Sequence, residues 1–256
     1  MSLQLKEILR ITKENMYDAV PLLKKEADPE VLVLCWDPEI AEALIEKGWA
    51  VLGIETEGEH MSVPYVAMDP EELDEEYLLR VWQRQRGIPW KILETDRCVI
   101  RETVVEDVEA FYRIYAVPSI TKYMEDLFED PEEEIEYTKT YREKIYALYG
   151  YGIWTVLSKS DGSVIGRAGI TNRKGYDLPE IGYMVAAPLQ RQGIAEEVCR
   201  GILHYAKEEL GFEAVRVLTE PENEASLKLC EKLGVRWRED VTENGILFRS
   251  GIFTLN

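Results

Sequence analysis

Apolar positions along the chain follow three patterns. Val31-Leu32-Val33-Leu34-Cys35-Trp36 and Ala50-Val51-Leu52-Gly53-Ile54 are unbroken apolar runs of strand length, which predict buried strands. Residues 5–25 predict an amphipathic helix. Between the two runs, Asp37-Pro38 supplies an N-cap and a proline at the first helical position, and Gly48 ends the helix they open. Strand, helix, strand in that order predicts a parallel pair with a right-handed crossover. Val63-Pro64-Tyr65-Val66-Ala67 is a candidate third strand. The acidic run Glu71-Glu72-Leu73-Asp74-Glu75-Glu76 opens a helix over residues 74–86, where acidic residues suit the helix dipole.

Further along, Glu180-Ile181-Gly182-Tyr183-Met184-Val185-Ala186 alternates as a half-buried strand, and Ala187-Pro188 closes it because proline donates no ladder hydrogen bond. From Ile194 the apolar positions Val198, Ile202, Leu203, Ala206 and Leu210 recur with a period near 3.6, opposite Glu196, Glu197, Arg200, Lys207 and Glu208. That is an amphipathic helix, ended by Gly211. Ala214-Val215-Arg216-Val217-Leu218-Thr219 predicts another strand. In residues 130–149, Tyr137, Tyr141, Ile145 and Tyr149 share one helical face, and their spacing favours packing over a substrate cage.

The candidate chemistry lies between the strand and the helix, at Gln190-Arg191-Gln192-Gly193-Ile194-Ala195. A strand that turns into a helix N-terminus aims unpaired backbone N–H groups and the positive dipole end at one point, where phosphate oxygens bind. Gly193 allows close approach of the backbone, and Arg191 adds a permanent charge.

Composition narrows the partners. With 30 Lys and Arg against 49 Asp and Glu, the net charge of −19 argues against nucleic acid and anionic membrane, which require clustered basic residues. Neutral or cationic partners are expected. Cys35, Cys98, Cys199 and Cys230 have no C-x-x-C spacing and no histidine set beside them, so buried free thiols and no metal site are expected. No run of about 18 apolar residues and no basic region before an apolar stretch occurs. A cytoplasmic location is expected. His204, in the helix after the cradle, is expected to pack rather than to take part in catalysis.

The C-terminal part resembles the Gcn5-related N-acetyltransferase (GNAT) superfamily over roughly residues 96 to 256. The six residues above match its acetyl-coenzyme A signature, [RQ]-x-x-G-x-[GA], and Asn223 to Gly234 is similar to its N-x-x-S-x-x-L-x-x-K-x-G helix. The opening Arg97-Cys98-Val99-Ile100-Arg101-Glu102, a hairpin over residues 154–170 turning at Ser160-Asp161-Gly162, and Glu180-Ile181-Gly182-Tyr183 are similar to the subgroup that acetylates ribosomal-protein N-termini and small amines. The chain departs from the pattern at Cys230, where many relatives carry a tyrosine that serves as general acid.

The resemblance implies an α/β (α+β) fold, a mixed sheet flanked by helices, preceded by a small α/β module. The boundary falls near Gly87-Ile88-Pro89-Trp90, giving a module of unassigned role over residues 1–92 and the acetyltransferase domain over 93–256. It further implies that Met184, Val185 and Ala186 pair with the pantetheine arm, that Gln190, Arg191, Gln192, Gly193, Ile194 and Ala195 cradle the pyrophosphate, and that Asn223 and Ser226 face the cofactor. Asn223 also reads as a plain N-cap. Glu180 is the first choice of general base, with an exposed strand glutamate as the competing reading, and Glu220 is the runner-up; Ser226 stands near the leaving thiol. Cys230 reads as an apolar filler.

The activity implied is direct transfer of acetyl from acetyl-CoA to a primary amine, a peptide N-terminus or a small amine, within a ternary complex and with no metal. The alternative is a catalytically idle acyl-CoA sensor. Residues 117–130, on the acceptor side, carry no pattern that names the acceptor, and a homodimer is left open.

Overall fold

The computed structural model describes residues 3–56 and 60–255. Its contacts divide the chain between Trp90 and Lys91. The first unit contains β1 (Glu7–Ile11), α1 (Ala19–Lys24), β2 (Val31–Cys35), α2 (Pro38–Glu46), β3 (Ala50–Ile54), β4 (Val66–Ala67) and α3 (Glu75–Gln85). Its four strands are all parallel, in the order β1-β2-β3-β4.

The unbroken apolar runs are explained by helices on both faces. Val31, Val33, Cys35 and Val51 pack with Ala19, Leu22, Ala41 and Leu44 of α1 and α2. Leu32, Leu34, Ala50 and Leu52 pack with Leu78, Val81 and Trp82 of α3. A strand covered on both sides has no polar positions to alternate with. Asp37 caps α2 as expected, its carboxylate accepting from the Ile40 N–H at 2.9 Å.

The expected helix over residues 5–25 is corrected. Its first half is strand β1, and only Ala19–Lys24 is α-helical. Thr12 and Asn15 break it: the Asn15 side chain accepts from the Thr12 N–H at 2.6 Å and donates to the Arg10 carbonyl at 2.9 Å. Side chains that bond nearby backbone compete with helix in this way, and pairing with β2 buries Ile11.

The second unit contains β5 (Lys91–Glu94), β6 (Cys98–Arg101), α4 (Val108–Tyr115), α5 (Pro118–Thr121), α6 (Pro131–Tyr141), α7 (Ala147–Tyr149), β7 (Ile153–Ser158), β8 (Val164–Thr171), β9 (Glu180–Val185), α8 (Ile194–Glu208), β10 (Ala214–Thr219), α9 (Glu224–Lys232), β11 (Arg236–Trp237), β12 (Val241–Glu243) and β13 (Ile246–Thr254). The sheet runs β11-β13-β10-β9-β8-β7-β6-β5, with β12 paired to β13. Its neighbours are antiparallel except β9 and β10. Phe111, Ile114, Tyr115 and Ile120 pack against Met184 on one face.

The tyrosine face of residues 130–149 does not run as one helix. A π-helical turn over Arg142–Tyr146 separates α6 from α7 and rotates the pattern. Tyr146 therefore takes the buried position, 1% exposed, while Tyr149 and Tyr137 are 44% and 45% exposed. All four cysteines are buried and free.

Candidate active site

The site starts from a gap in the sheet. β9 and β10 pair in parallel at a single position, Glu180 with Arg216, where the Arg216 N–H donates to the Pro179 carbonyl at 2.8 Å. Beyond Glu180 the two strands part. On the other edge of β9 the Ala186 N–H donates to the Ile165 carbonyl at 2.8 Å, so Ala186 and Met184 address β8. Alternation along the strand turns the backbone of Tyr183 and Val185 toward the gap. The Val185 carbonyl accepts from the Gln190 side chain at 3.1 Å.

At the end of β9 a short 3₁₀ turn, Ala187–Leu189, leads into the predicted cradle. Arg191 and Gly193 both adopt left-handed backbone, with φ of 62° and 79°. Glycine takes that conformation freely, whereas an L side chain is strained there. The turn braces itself: Gln192 Nε2 donates to the Pro188 carbonyl at 2.9 Å. Gly193 stands at the N-cap of α8, whose 15 residues begin at Ile194, followed by Ala195. The first N–H groups of such a helix have no intrahelical acceptor. Such a terminus, with the Arg191 charge beside it, suits an anion.

Glu180 is not an exposed strand residue. Its side chain is 14% exposed, and one oxygen accepts from Arg173 Nη1 at 3.1 Å. The other, Oε2, is buried and has no hydrogen-bond partner. Burial pushes the Glu180 carboxyl above the usual carboxylate range, against the opposing pull of Arg173 and Arg216.

A second carboxylate fixes Arg173. Glu243, at the end of β12, accepts from Arg173 Nε and Nη2 at 3.0 and 2.6 Å and from the Tyr176 hydroxyl. The Arg216 guanidinium lies over the Tyr176 ring, 3.3 Å from its centroid, and donates to Ser250 at 3.2 Å. None of Arg173, Tyr176, Arg216 and Glu243 was singled out by the sequence, because they come together from the β8–β9 loop, β10 and the β12–β13 hairpin. Glu220 follows β10, half-buried, and its carbonyl accepts from the Asn223 N–H at 3.0 Å.

On the opposite face of β9, Tyr183 reaches α9. Its hydroxyl lies 2.8 Å from Ser226 Oγ and 3.8 Å from Cys230 Sγ. Asn223 caps α9, accepting from the Ser226 N–H at 3.2 Å. Burial drives the Tyr183 phenol far above its ordinary value. It therefore stays protonated, a hydrogen-bond donor rather than a ready acid. Cys230 is fully buried, and burial likewise raises its thiol. His204, expected to pack, is instead exposed, because α8 turns its buried stripe through Leu203 and Ala206. Among the described residues no group of His, Cys, Asp and Glu is placed to hold a metal ion, and no helix is long and apolar enough to cross a membrane.

Comparison with known proteins adds a family match. The family described as acetyltransferase (GNAT) domain matches residues 97–236, more than half of the chain. YoaA of Bacillus subtilis, named an uncharacterized N-acetyltransferase, is 28% identical over 174 residues, 64% of this chain and 96% of the relative. The structure of ribosomal-protein-S5-alanine acetyltransferase from Vibrio fischeri is similar in fold, with a TM-score of 0.55 and 13% identity over 64% of this chain and 96% of that one. The microcin C7 self-immunity acetyltransferase MccE, solved with acetyl-CoA and AMP, has a TM-score of 0.53 and 13% identity, covering 62% of this chain and 93% of its own.

Proposed function

Because this chain belongs to the GNAT acetyltransferase family, we propose that it transfers acetyl from acetyl-CoA directly to a primary amine, with Glu180 as the general base. The observation that carries the reading is the parting of β9 from β10 immediately beside a left-handed turn and a helix N-terminus. A pantetheine arm can take up ladder bonds that β10 leaves unmade, through Tyr183 and Val185, while residues 190–195 receive the pyrophosphate. This modifies the sequence expectation for Met184 and Ala186, whose backbone addresses β8. Acetyl-CoA, when bound, supplies an activated thioester.

The chain's own residues handle the proton and the charge. An amine at neutral pH arrives mostly protonated, and the unpartnered Glu180 Oε2 is the group suited to accept that proton. The amine nitrogen then bonds to the acyl carbon as the carbon–sulfur bond breaks, and the second proton it sheds on becoming an amide passes to the departing thiolate. A backbone N–H of β9 facing the gap stabilises the oxygen that gains charge. Ser226, with the Tyr183 hydroxyl behind it, can donate to the departing thiolate. A thiol of pKa near 8.5 also leaves without a dedicated acid.

Two observations favour the idle sensor instead: Glu180 is ion-paired to Arg173, and Cys230 stands where many relatives carry a tyrosine. Thiol release from acetyl-CoA across peptides, polyamines, amino acids and aminoglycosides, run beside a CoA titration, separates the two. Amine-dependent release supports the transferase, binding without release supports the sensor, and absence of binding defeats both.

A further inference from the structure

Arg97 lies between β5 and β6, 95 residues before the cradle it touches. Its backbone N–H and its Nε donate to the two carboxylate oxygens of Glu197, in the first turn of α8, at 2.8 and 2.6 Å. Its Nη1 donates to the Gln192 carbonyl at 2.9 Å. Its Nη2 lies 3.5 Å from where a Cβ on Gly193 would stand. Burial disfavours the charged form of Glu197, yet hydrogen bonds from Thr95 and Arg97 hold its carboxyl below the usual range.

The direction of one peptide group follows. In a trans peptide the carbonyl and the next N–H point opposite ways. With the Gln192 carbonyl held on Arg97, the Gly193 N–H faces away from Arg97. Gly193 is also left-handed, and Arg191 two positions earlier is left-handed without being glycine, a conformation that strains an L residue. Such a turn persists only when its surroundings hold it. Arg97 and Glu197 are that hold: one fixes the loop carbonyl, the other fixes Arg97 to the helix.

We propose that Arg97 is the positioning residue of the phosphate cradle, locking the Gln192–Gly193 peptide so that the Gly193 N–H is presented to the cofactor's pyrophosphate. The inference rests on the acetyl-CoA reading above. It assigns to a residue outside the signature loop a share of the affinity for phosphate and none of the affinity for pantetheine.

The test is calorimetric titration of the wild type, Arg97→Ala and Arg97→Lys with CoA, dephospho-CoA and pantetheine, with thermal unfolding of each. Arg97→Ala is expected to weaken CoA and dephospho-CoA alike by about tenfold, the scale of one charge-assisted hydrogen bond. Pantetheine binding should stay within about twofold, with partial recovery in Arg97→Lys. Unchanged CoA binding in both variants overturns the inference, as does equal weakening of all three ligands, the mark of a general collapse. Loss confined to CoA overturns the pyrophosphate assignment in favour of the 3′-phosphate. If the wild type binds no CoA, the cofactor reading itself has failed, a result distinct from wild-type binding that Arg97→Ala leaves untouched.

Discussion

Arg173 holds one oxygen of Glu180 at 3.1 Å and leaves the other buried and unpartnered. One oxygen orients the carboxylate and the other is available to a proton. Glu180→Gln keeps the shape and removes the basicity, so turnover should fall about tenfold or more while CoA affinity holds. Steady-state kinetics beside a CoA titration reads both. Unchanged turnover would remove Glu180 from the base role.

The same pair sets a pH dependence. Glu180 works only when deprotonated, and burial raises its carboxyl, so activity should fall on acidification at a pH above that of an ordinary glutamate. Arg173→Met deletes the nearer positive charge, which favours the protonated form, and should carry the acid limb of kcat/KM higher still. A limb that stays in place in Arg173→Met would mean that another group titrates there.

Much of this arrangement was legible in the sequence, and the remainder was hidden for a definite reason. Gly193, Asn223 and the strand ending at Ala187-Pro188 declare themselves locally, through turn, cap and breaker chemistry acting over a few residues. The β9–β10 gap, by contrast, shows only in the pairing of Glu180 with Arg216. Arg97 is joined to Glu197 across 100 positions, and Arg173 to Glu243 across 70; no periodicity announces such contacts. The misread start of the chain has the same origin. Ile8, Leu9 and Ile11 fit a helical stripe until β2 offers a neighbour.

A buried carboxylate that ties β6 and β7 to the turn before α4 gives a stability prediction. Asp107 is 3% exposed and accepts from both Arg101 terminal nitrogens at 2.6 and 2.7 Å, from the Val104 N–H at 3.0 Å and from Thr155 at 2.8 Å. Asp107→Ala removes the carboxylate partner of the half-buried Arg101 guanidinium, leaving it the Glu102 carbonyl, and takes an acceptor from the buried Val104 N–H and Thr155 hydroxyl. It should cost about 3–5 kcal/mol, read by denaturant unfolding of the full chain. A loss under about 1 kcal/mol, the scale of an exposed pair, would show that solvent reaches this cluster.

The departure at Cys230 can be probed by putting the family's residue back. The resemblance puts a tyrosine at that helix position in many relatives, but here Cys230 is fully buried, with the Tyr183 hydroxyl 3.8 Å from its sulfur. A phenol added at residue 230 would meet the one that β9 already sends into the same space. Cys230→Tyr alone should therefore overpack and cost about 1–3 kcal/mol. Paired with Tyr183→Ala, which vacates that volume, it should recover stability relative to the sum of the two single changes. The double-mutant cycle measures this coupling. Additive losses would mean that the two side chains do not compete, and that the cysteine needs an explanation other than the tyrosine facing it.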